Sequence, residues 1–450
     1  MNNFVGRNTA VEQLKLVLTG QTTNGSLTIQ PIEGPGGIGK TYLLDHVIEN
    51  TNLDQRNYLT LKVTGNAEFP RTLSSCITEL ITRADGKLLN KKPAKHYFEN
   101  TKKVIKELNS VVNDIKNGDA KQKLNIEPKK IGELIELILQ TGGKLPPVIP
   151  GVDFKKLEHW YKELKPYIEQ IPKLPLPIPD WIIPGETLRQ LLRQDSRIPL
   201  SQALVTDLTT ILHGYPSGVW YKPTVDKLVG IDRLLLIIDD YESLQYPMGD
   251  FLTQHFLPAL AAAPFETLVV IICRDKLGVT STTWPQQFQK YLQPSVVVSH
   301  LNRDEMDNLV EFYGYKTKEE KDRAWHDTEG YPYLVQLWIE EANAGGRTVG
   351  TLKMFYDRTT RWMNEYQKKW LEHVIFLNHV HTETLHKMLS TGDEPDVVMN
   401  WFENEGSIRD PNANVFKVRE FIRSRLCEYI EKRDPKRHRE LTERGKAAII

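Results

Sequence analysis

The chain is poor in cysteine. Its 450 residues hold three, Cys76, Cys273 and Cys427, and no two share a short spacing. Neither a disulfide framework nor a cysteine-based zinc site is indicated, and a reducing compartment fits. It has no excess of either charge, because 58 Lys and Arg balance 58 Asp and Glu. A protein that lives on nucleic acid or an anionic membrane usually carries a basic surplus overall, so that class is disfavoured. Long hydrophobic runs are missing too. The apolar stretches before Asp239 and Arg274 stop at about seven residues, where a membrane span needs about twenty. The opening MNNFVGRNTAVEQLK lacks the apolar core of a signal peptide, so a cytoplasmic protein without a membrane span is expected. No H-E-x-x-H or G-x-S-x-G motif occurs, and His379 and His381 fall on different faces of any helix. Metalloprotease and lipase chemistry therefore have no support. No repeat of 20–50 residues suggests a solenoid.

What is present describes a folded, multidomain protein. Hydrophobic residues make up 40% and charged residues 26%, a composition that can build a core and is unlike a disordered chain. Short apolar runs at 26–32, 56–63, 234–240, 267–273 and 295–301 have the length of buried strands. Helical stretches alternate with the first four, as in a parallel α/β sheet.

The strongest motif is Gly34-Pro35-Gly36-Gly37-Ile38-Gly39-Lys40-Thr41, which satisfies G-x-x-x-x-G-K-[ST] between an expected strand and an expected helix. Glycines let the backbone curl so that its N–H groups converge on phosphate oxygens. The next helix presents its positive end. Lys40 would neutralise the β- and γ-phosphates, and Thr41 would offer a hydroxyl to Mg²⁺. A second motif is Leu234-Leu235-Leu236-Ile237-Ile238-Asp239-Asp240. A carboxylate ending a buried strand is costly without a positive partner. Beside a phosphate loop that partner is Mg²⁺, with Asp239 on the metal and Asp240, or Glu242, orienting the attacking water. The bland alternative is a strand that ends in an Asp turn. Arg274 follows the strand at 267–273, at the end of a parallel sheet where ligands bind. It is read either as a γ-phosphate contact or as a surface ion pair.

Two regions depart from the α/β rhythm. Residues 83–130 hold 13 Lys and Arg against 6 Asp and Glu, and ten of the 26 prolines fall between 146 and 199. We read 85–197 as an insertion with a helical part and an extended, polyproline-like part. Its lysines admit a solvated face, an acidic partner or nucleic acid. From 303 onward the pattern is helical. Two short helices near 382–404, a turn at DPNAN and a long helix from Arg419 describe a winged helix. The expected organisation is a nucleotide-binding domain over 1–84 and 198–300, the insertion, a helical lid over 301–348, and a winged-helix domain with a C-terminal helix over 349–450.

These pieces, in this order, resemble the STAND class of AAA+-related signalling ATPases and their origin-recognition cousins. Phe4-Val5-Gly6-Arg7, followed by Val11-Glu12-Gln13-Leu14, looks like the F-x-G-R-x-x-E-L element that packs near adenine, with its E-L offset. Gly34–Thr41 looks like Walker A and Leu234–Asp240 like Walker B. Arg274 matches the sensor arginine. Gly330-Tyr331-Pro332 looks like the G-x-P of the lid, whose proline lies against the base; a plain helix-start turn is the alternative. Val418-Arg419-Glu420 stands where many members carry Met-His-Asp, so Arg419 is either a phosphate contact or an exposed helix-start arginine. The resemblance implies cofactor-binding residues Val5, Arg7, Gly34, Pro35, Gly36, Gly37, Ile38, Gly39, Lys40, Thr41, Tyr42, Pro332 and Arg419. It implies metal residues Thr41 and Asp239, and catalytic residues Asp240, Glu242 and Arg274, with ATP or ADP and Mg²⁺ as cofactors.

The function this implies is a slowly hydrolysing ATP-driven switch that changes conformation, forms homo-oligomers when active, and works with a separately encoded sensor or effector protein. By analogy its setting is prokaryotic (antiphage) defence or stress signalling. A DNA-binding loader or transposition-type ATPase, using the basic insertion on nucleic acid, is the alternative from another class. A scaffold that binds nucleotide without turnover is the third reading.

Overall fold

The computed structural model describes residues 4–20, 26–51, 58–65, 72–88, 97–117, 195–213, 231–274, 276–345, 348–360, 363, 365–389, 394–405, 408–410 and 413–448. The proline-rich part of the expected insertion, and most of its basic run beyond Asn117, lie outside these residues. The chain divides into two compact units. The first comprises Met1–Gln13, Glu33–Val47 and Val297–Ile450, and the second Leu14–Ile32 and Ile48–Val296.

The second unit is built on a sheet in the order β2-β3-β4-β1-β5. Its strands are β1 (Leu27–Glu33), β2 (Tyr58–Thr64), β3 (Arg233–Asp239), β4 (Glu266–Cys273) and β5 (Val296–Val297). β2 runs parallel to β3 with Thr64 opposite Asp239, and β3 runs parallel to β4 with Ile238 opposite Ile271. β1 is buried along its whole length, as are the last six residues of β3. That is why these strands read as unbroken apolar runs rather than alternating ones. The expected fifth strand over 295–301 shrinks to two residues. Val297 is 65% exposed, and beyond it Val298 N–H donates to Glu33 O at 2.8 Å while Leu301 N–H turns away to Gly330 O at 2.9 Å.

The core of this unit joins sheet residues such as Leu61, Leu236 and Val269 to helices α3 (Leu73–Leu88), α4 (Glu99–Asn117), α5 (Arg197–Leu212) and α6 (Tyr241–Asp250). α4 lies in the lysine-rich stretch, yet its Val104, Leu108, Val111 and Val112 are core residues. Asp207 of α5 pins its first turn. One carboxylate oxygen accepts from Asn100 Nδ2 at 2.8 Å, and the other from Thr101 N and Oγ1 at 2.8 and 2.7 Å. These donors are the orphan amides and side chains of a helix start, which a carboxylate satisfies best. The start of the expected insertion is thus part of this core.

The first unit holds the loop at 34–39, the start of α2 (Lys40–Asn50) and the helices after residue 300. α7 (Arg303–Phe312) and α8 (Lys318–Thr328) both open with reciprocal capping boxes, Asn302 with Glu305 and Thr317 with Glu320. α9 (Pro332–Asn343) begins on a proline whose missing N–H costs nothing at that position. The helical run expected after 349 is two helices, α10 (Val349–Thr359) and α11 (Glu365–Val374). Then come α12 (Thr382–Met388), α13 (Pro395–Asn404), α14 (Glu420–Arg433) and α15 (Pro435–Ala448). Between α13 and α14 the chain makes one antiparallel bridge, Arg409 with Val418. Val380 N–H donates to Phe416 O at 2.7 Å beside it.

Arg425 of α14 is 4% exposed and grips Glu341 of α9 with two bonds, Nε at 2.8 Å and Nη2 at 3.2 Å. Arg419, just before α14, reaches Glu329 at 2.7 Å. The helices of the expected lid and those of the C-terminal part are therefore joined by two buried arginines, each paired with a partly exposed carboxylate, and not only by apolar packing. No described helix is long and apolar enough to cross a membrane. The three cysteines are free thiols.

Candidate functional site

The loop Gly34–Gly39 lies between β1 and α2. Gly34 has φ +147°, and a methyl group there would stand 2.5 Å from the Val298 carbonyl oxygen, so the loop needs glycine at its entry. Its carbonyls are tied down by side chains of its own unit. Lys40 Nζ donates to Gly34 O at 2.5 Å and Pro35 O at 2.9 Å. Tyr331 donates its hydroxyl to Gly36 O at 2.5 Å. Arg7 donates to Ile38 O and, at 3.4 Å, to Gly39 O. In a trans peptide the carbonyl and the following N–H point opposite ways. Fixing a carbonyl therefore also sets the direction of the N–H that follows it, while the Ile38 N–H is turned inward onto Pro35 O at 3.3 Å. The chemistry of this donor set fits a polyphosphate: amide donors, Lys40, the Thr41 hydroxyl and a helix start.

Arg7 reaches the loop from an unusual backbone position, with φ +59° in a non-glycine residue. The turn is held because Arg7 N–H donates to Glu305 Oε1 at 2.7 Å. Burial lowers the Arg7 pKa to about 10, partly opposed by Glu305. The group stays charged at neutral pH. The segment Phe4–Arg7 thus braces the loop through Arg7. Its Phe4 ring stacks on His46 with centroids 4.0 Å apart and an interplanar angle of 13°, and Tyr42 lies 5.7 Å from Phe4. Val5 is half-buried between Phe4 and the turn.

The tripeptide Gly330-Tyr331-Pro332 is placed by Gly330, where a methyl group would come 2.2 Å from the Leu301 carbonyl oxygen. Pro332 is the first residue of α9, and the residue that meets the loop is its neighbour Tyr331. Tyr333 packs its ring on Gly37, 2.8 Å from where a Cβ would stand. Arg419 is not the exposed helix-start arginine of the bland reading. It is 5% exposed, pairs with Glu329, and lies over the Tyr331 ring at 5.2 Å. His300 meets the same ring edge-on at 4.8 Å. Burial first, then the nearby Arg419, lowers its pKa.

The second unit carries the acidic residues. Asp239 ends β3, is 5% exposed, and has Lys62 Nζ 3.9 Å away. Asp240 takes a left-handed conformation at φ 56° and ψ 58°, turning the chain sharply into α6. Its Oδ2 accepts from Ser243 Oγ at 2.6 Å and its Oδ1 lies 3.5 Å from Arg274 Nη2. Glu242, in the first turn of α6, accepts a short hydrogen bond from the Arg274 backbone N–H. Burial raises the Glu242 carboxyl pKa, with that hydrogen bond opposing. Asp240, Glu242 and Arg274, expected as the catalytic set, are thus brought together. Arg274 pairs with Asp240 as an ion-pair reading requires, but from a half-buried place.

Tyr331, Tyr333, His300, Glu305 and Glu329 were not singled out from the sequence. Tyr331 stood inside a quoted tripeptide, but nothing marks a buried tyrosine as a loop contact before folding. Among the described residues no cluster of His, Cys, Asp and Glu could hold a metal by itself.

No family model matches the chain, and no curated protein matches it. Several solved structures are similar to it, among them the following two. One is the Orc1 protein of Aeropyrum pernix, in complex with DNA, at 11% identity and a TM-score of 0.39, over 98% of this chain and 95% of that one. The other is Cdc6p from Pyrobaculum aerophilum, at 11% identity and a TM-score of 0.36, over 99% and 96%. At those TM-scores neither likeness carries an argument about this chain.

Proposed function

We propose that this chain is an ATP-binding, slowly hydrolysing switch of the STAND type. The carrying observation is the loop Gly34–Gly39 with its carbonyls tied by Lys40, Tyr331 and Arg7. A glycine-rich loop with fixed peptide planes at a helix start is an anion cradle in this reading. Lys40 neutralises phosphate charge there, and the loop amides orient the phosphates. Mg²⁺, assigned to Thr41 and Asp239 on the sequence motifs, supplies charge neutralisation when bound. Asp240 positions a water. Glu242, whose carboxyl pKa burial raises, is the second candidate to accept a proton from that water. Arg274 holds both carboxylates in place through its side chain and its backbone.

In this reading Val380–Arg433 is a winged helix reduced to one bridge, and Arg419 and Arg425 tie it to the lid. Nucleotide exchange then redirects the C-terminal helices, drives self-association and engages a separately encoded partner, with defence signalling as the setting suggested by resemblance alone. Calorimetry with ATP and ADP on the wild-type chain and on Lys40→Ala tests it. Equal, undiminished binding by Lys40→Ala would sink it. Light scattering with ADP and with a non-hydrolysable ATP tests the oligomer.

A second reading, a DNA-binding AAA+ ATPase, is favoured by one feature. Lys102, Lys103 and Lys106 are exposed on α4. Duplex retention that weakens steeply with salt, and that disappears on replacing these three by Ala, would select it.

A further inference from the structure

Tyr331 is fully buried beside the phosphate loop, and three aromatic or cationic groups fix its ring. His300 lies edge-on at 4.8 Å, Tyr333 edge-on at 5.4 Å, and the Arg419 guanidinium over the face at 5.2 Å. Its hydroxyl holds the Gly36 carbonyl. Arg419 is held in turn by Glu329, whose own backbone turns at φ 49° directly before Gly330 and Tyr331.

We propose that Tyr331 is a positioning residue of the phosphate loop, and that it transmits the placement of helix α14 to that loop by way of Arg419. The proposal rests on the reading of Gly34–Thr41 as a phosphate loop. Gly36 and Gly37 have no side chains, so little else resists rotation of the peptide plane between them. A hydroxyl on the Gly36 carbonyl sets that plane, and with it the direction of the Gly37 N–H. The hydroxyl is only as fixed as its ring, and the ring's exposed option is its face. Arg419 closes that face with a cation–π contact, strong in a desolvated place. Because Arg419 immediately precedes α14, moving that helix uncovers the ring and releases the peptide. Arg419 thus acts on the loop through the tyrosine, not by touching phosphate.

The two routes differ in a measurable way. Affinities for ATP and ADP are measured by calorimetry on the wild type, Tyr331→Phe, Arg419→Met and the double variant, with the unfolding midpoint of each nucleotide-free protein. Tyr331→Phe keeps the ring and removes the hydroxyl, and a loss of roughly three- to tenfold in affinity is expected. Arg419→Met loses a similar factor, and the double variant is no worse than either alone. Arg419→Lys, which keeps a cation on the ring, regains part of the loss. An affinity for Tyr331→Phe within about twofold of wild type overturns the proposal, being below the smallest effect of one hydrogen bond. Losses that multiply in the double variant overturn it as well, since they mean Arg419 meets phosphate on its own. A lowered midpoint with unchanged affinity reduces Tyr331 to a structural residue and also overturns it. A wild-type chain that binds neither nucleotide would remove the loop reading and the proposal together. Wild-type binding with an unaffected Tyr331→Phe removes the proposal alone.

Discussion

The loop surroundings in the first unit and the acidic strand end in the second are built by opposite means. The loop is fixed by side chains from far away in sequence: Tyr331 reaches back 295 positions to Gly36, and Glu305 reaches back 298 to Arg7. The strand end is fixed locally. Asp239, Asp240, Glu242 and Ser243 lie within five residues, and Arg274, which directly follows the neighbouring strand β4, meets Asp240 and Glu242. A locally built group keeps its geometry as long as its strand pairs do. A remotely built group is as steady as every segment that reaches it, and so can be altered from a distance.

Five substitutions would break or sharpen that contrast. The largest effect is expected in the strand-end group. Asp240→Asn and Glu242→Gln, each in a single-turnover assay, should slow hydrolysis by roughly 100- to 10,000-fold for whichever residue is the base. ATP affinity should stay near wild type. Equal, mild effects from both would show that neither accepts the proton. Next, Lys40→Ala should weaken ATP binding by about 10- to 150-fold, as expected for a charge-assisted contact. Fluorescent-nucleotide titration checks it. Third, Asp207→Ala strips four donors of their acceptor at the start of α4. Denaturant unfolding should show a loss of about 1–3 kcal/mol, with nucleotide affinity of the folded protein unchanged. A loss of affinity as well would mean that the two regions are less independent than their construction suggests.

The smallest effect concerns pH. The folded pKa of His300 lies below its ordinary value of 6.5, through burial and Arg419. The unfolded chain therefore takes up this proton more readily. Its contribution to stability is present above about pH 6.5 and is lost as the pH falls through that value. His300→Gln should flatten the decline of the unfolding midpoint on acidification relative to wild type. Because His255 is shifted in the same direction, only the difference between the two proteins counts. An unchanged slope would contradict the placement of His300.

How much could be read from the sequence follows the same division. Leu234–Asp240 and Arg274 were legible because chemistry and position sit in one short run, and buried parallel strands are written as apolar blocks. The loop Gly34–Thr41 was legible because its glycines and lysine must be adjacent. Tyr331, His300 and Glu305 were not legible, because their role exists only once distant segments meet. Arg419 shows the boundary. Its position before α14 was readable, but its burial and its pairing with Glu329 depend on the lid. α4 shows it differently. A lysine-rich surface suggested an excursion from the fold, while the apolar stripe Val104, Leu108 and Val111 on its other side belongs to the core.

The two ion pairs on α14 have a mechanical side. Arg419 directly precedes the helix and Arg425 lies in its second turn, and each is clamped to a different carboxylate, Glu329 before Gly330 and Glu341 on α9. A rod held at two points cannot roll about its own long axis without snapping both clamps. To move relative to the Tyr331 ring it must first break the Arg419 clamp. Torque applied to the C-terminal helices is therefore not absorbed as idle rotation of α14, but loads Glu329 and Glu341.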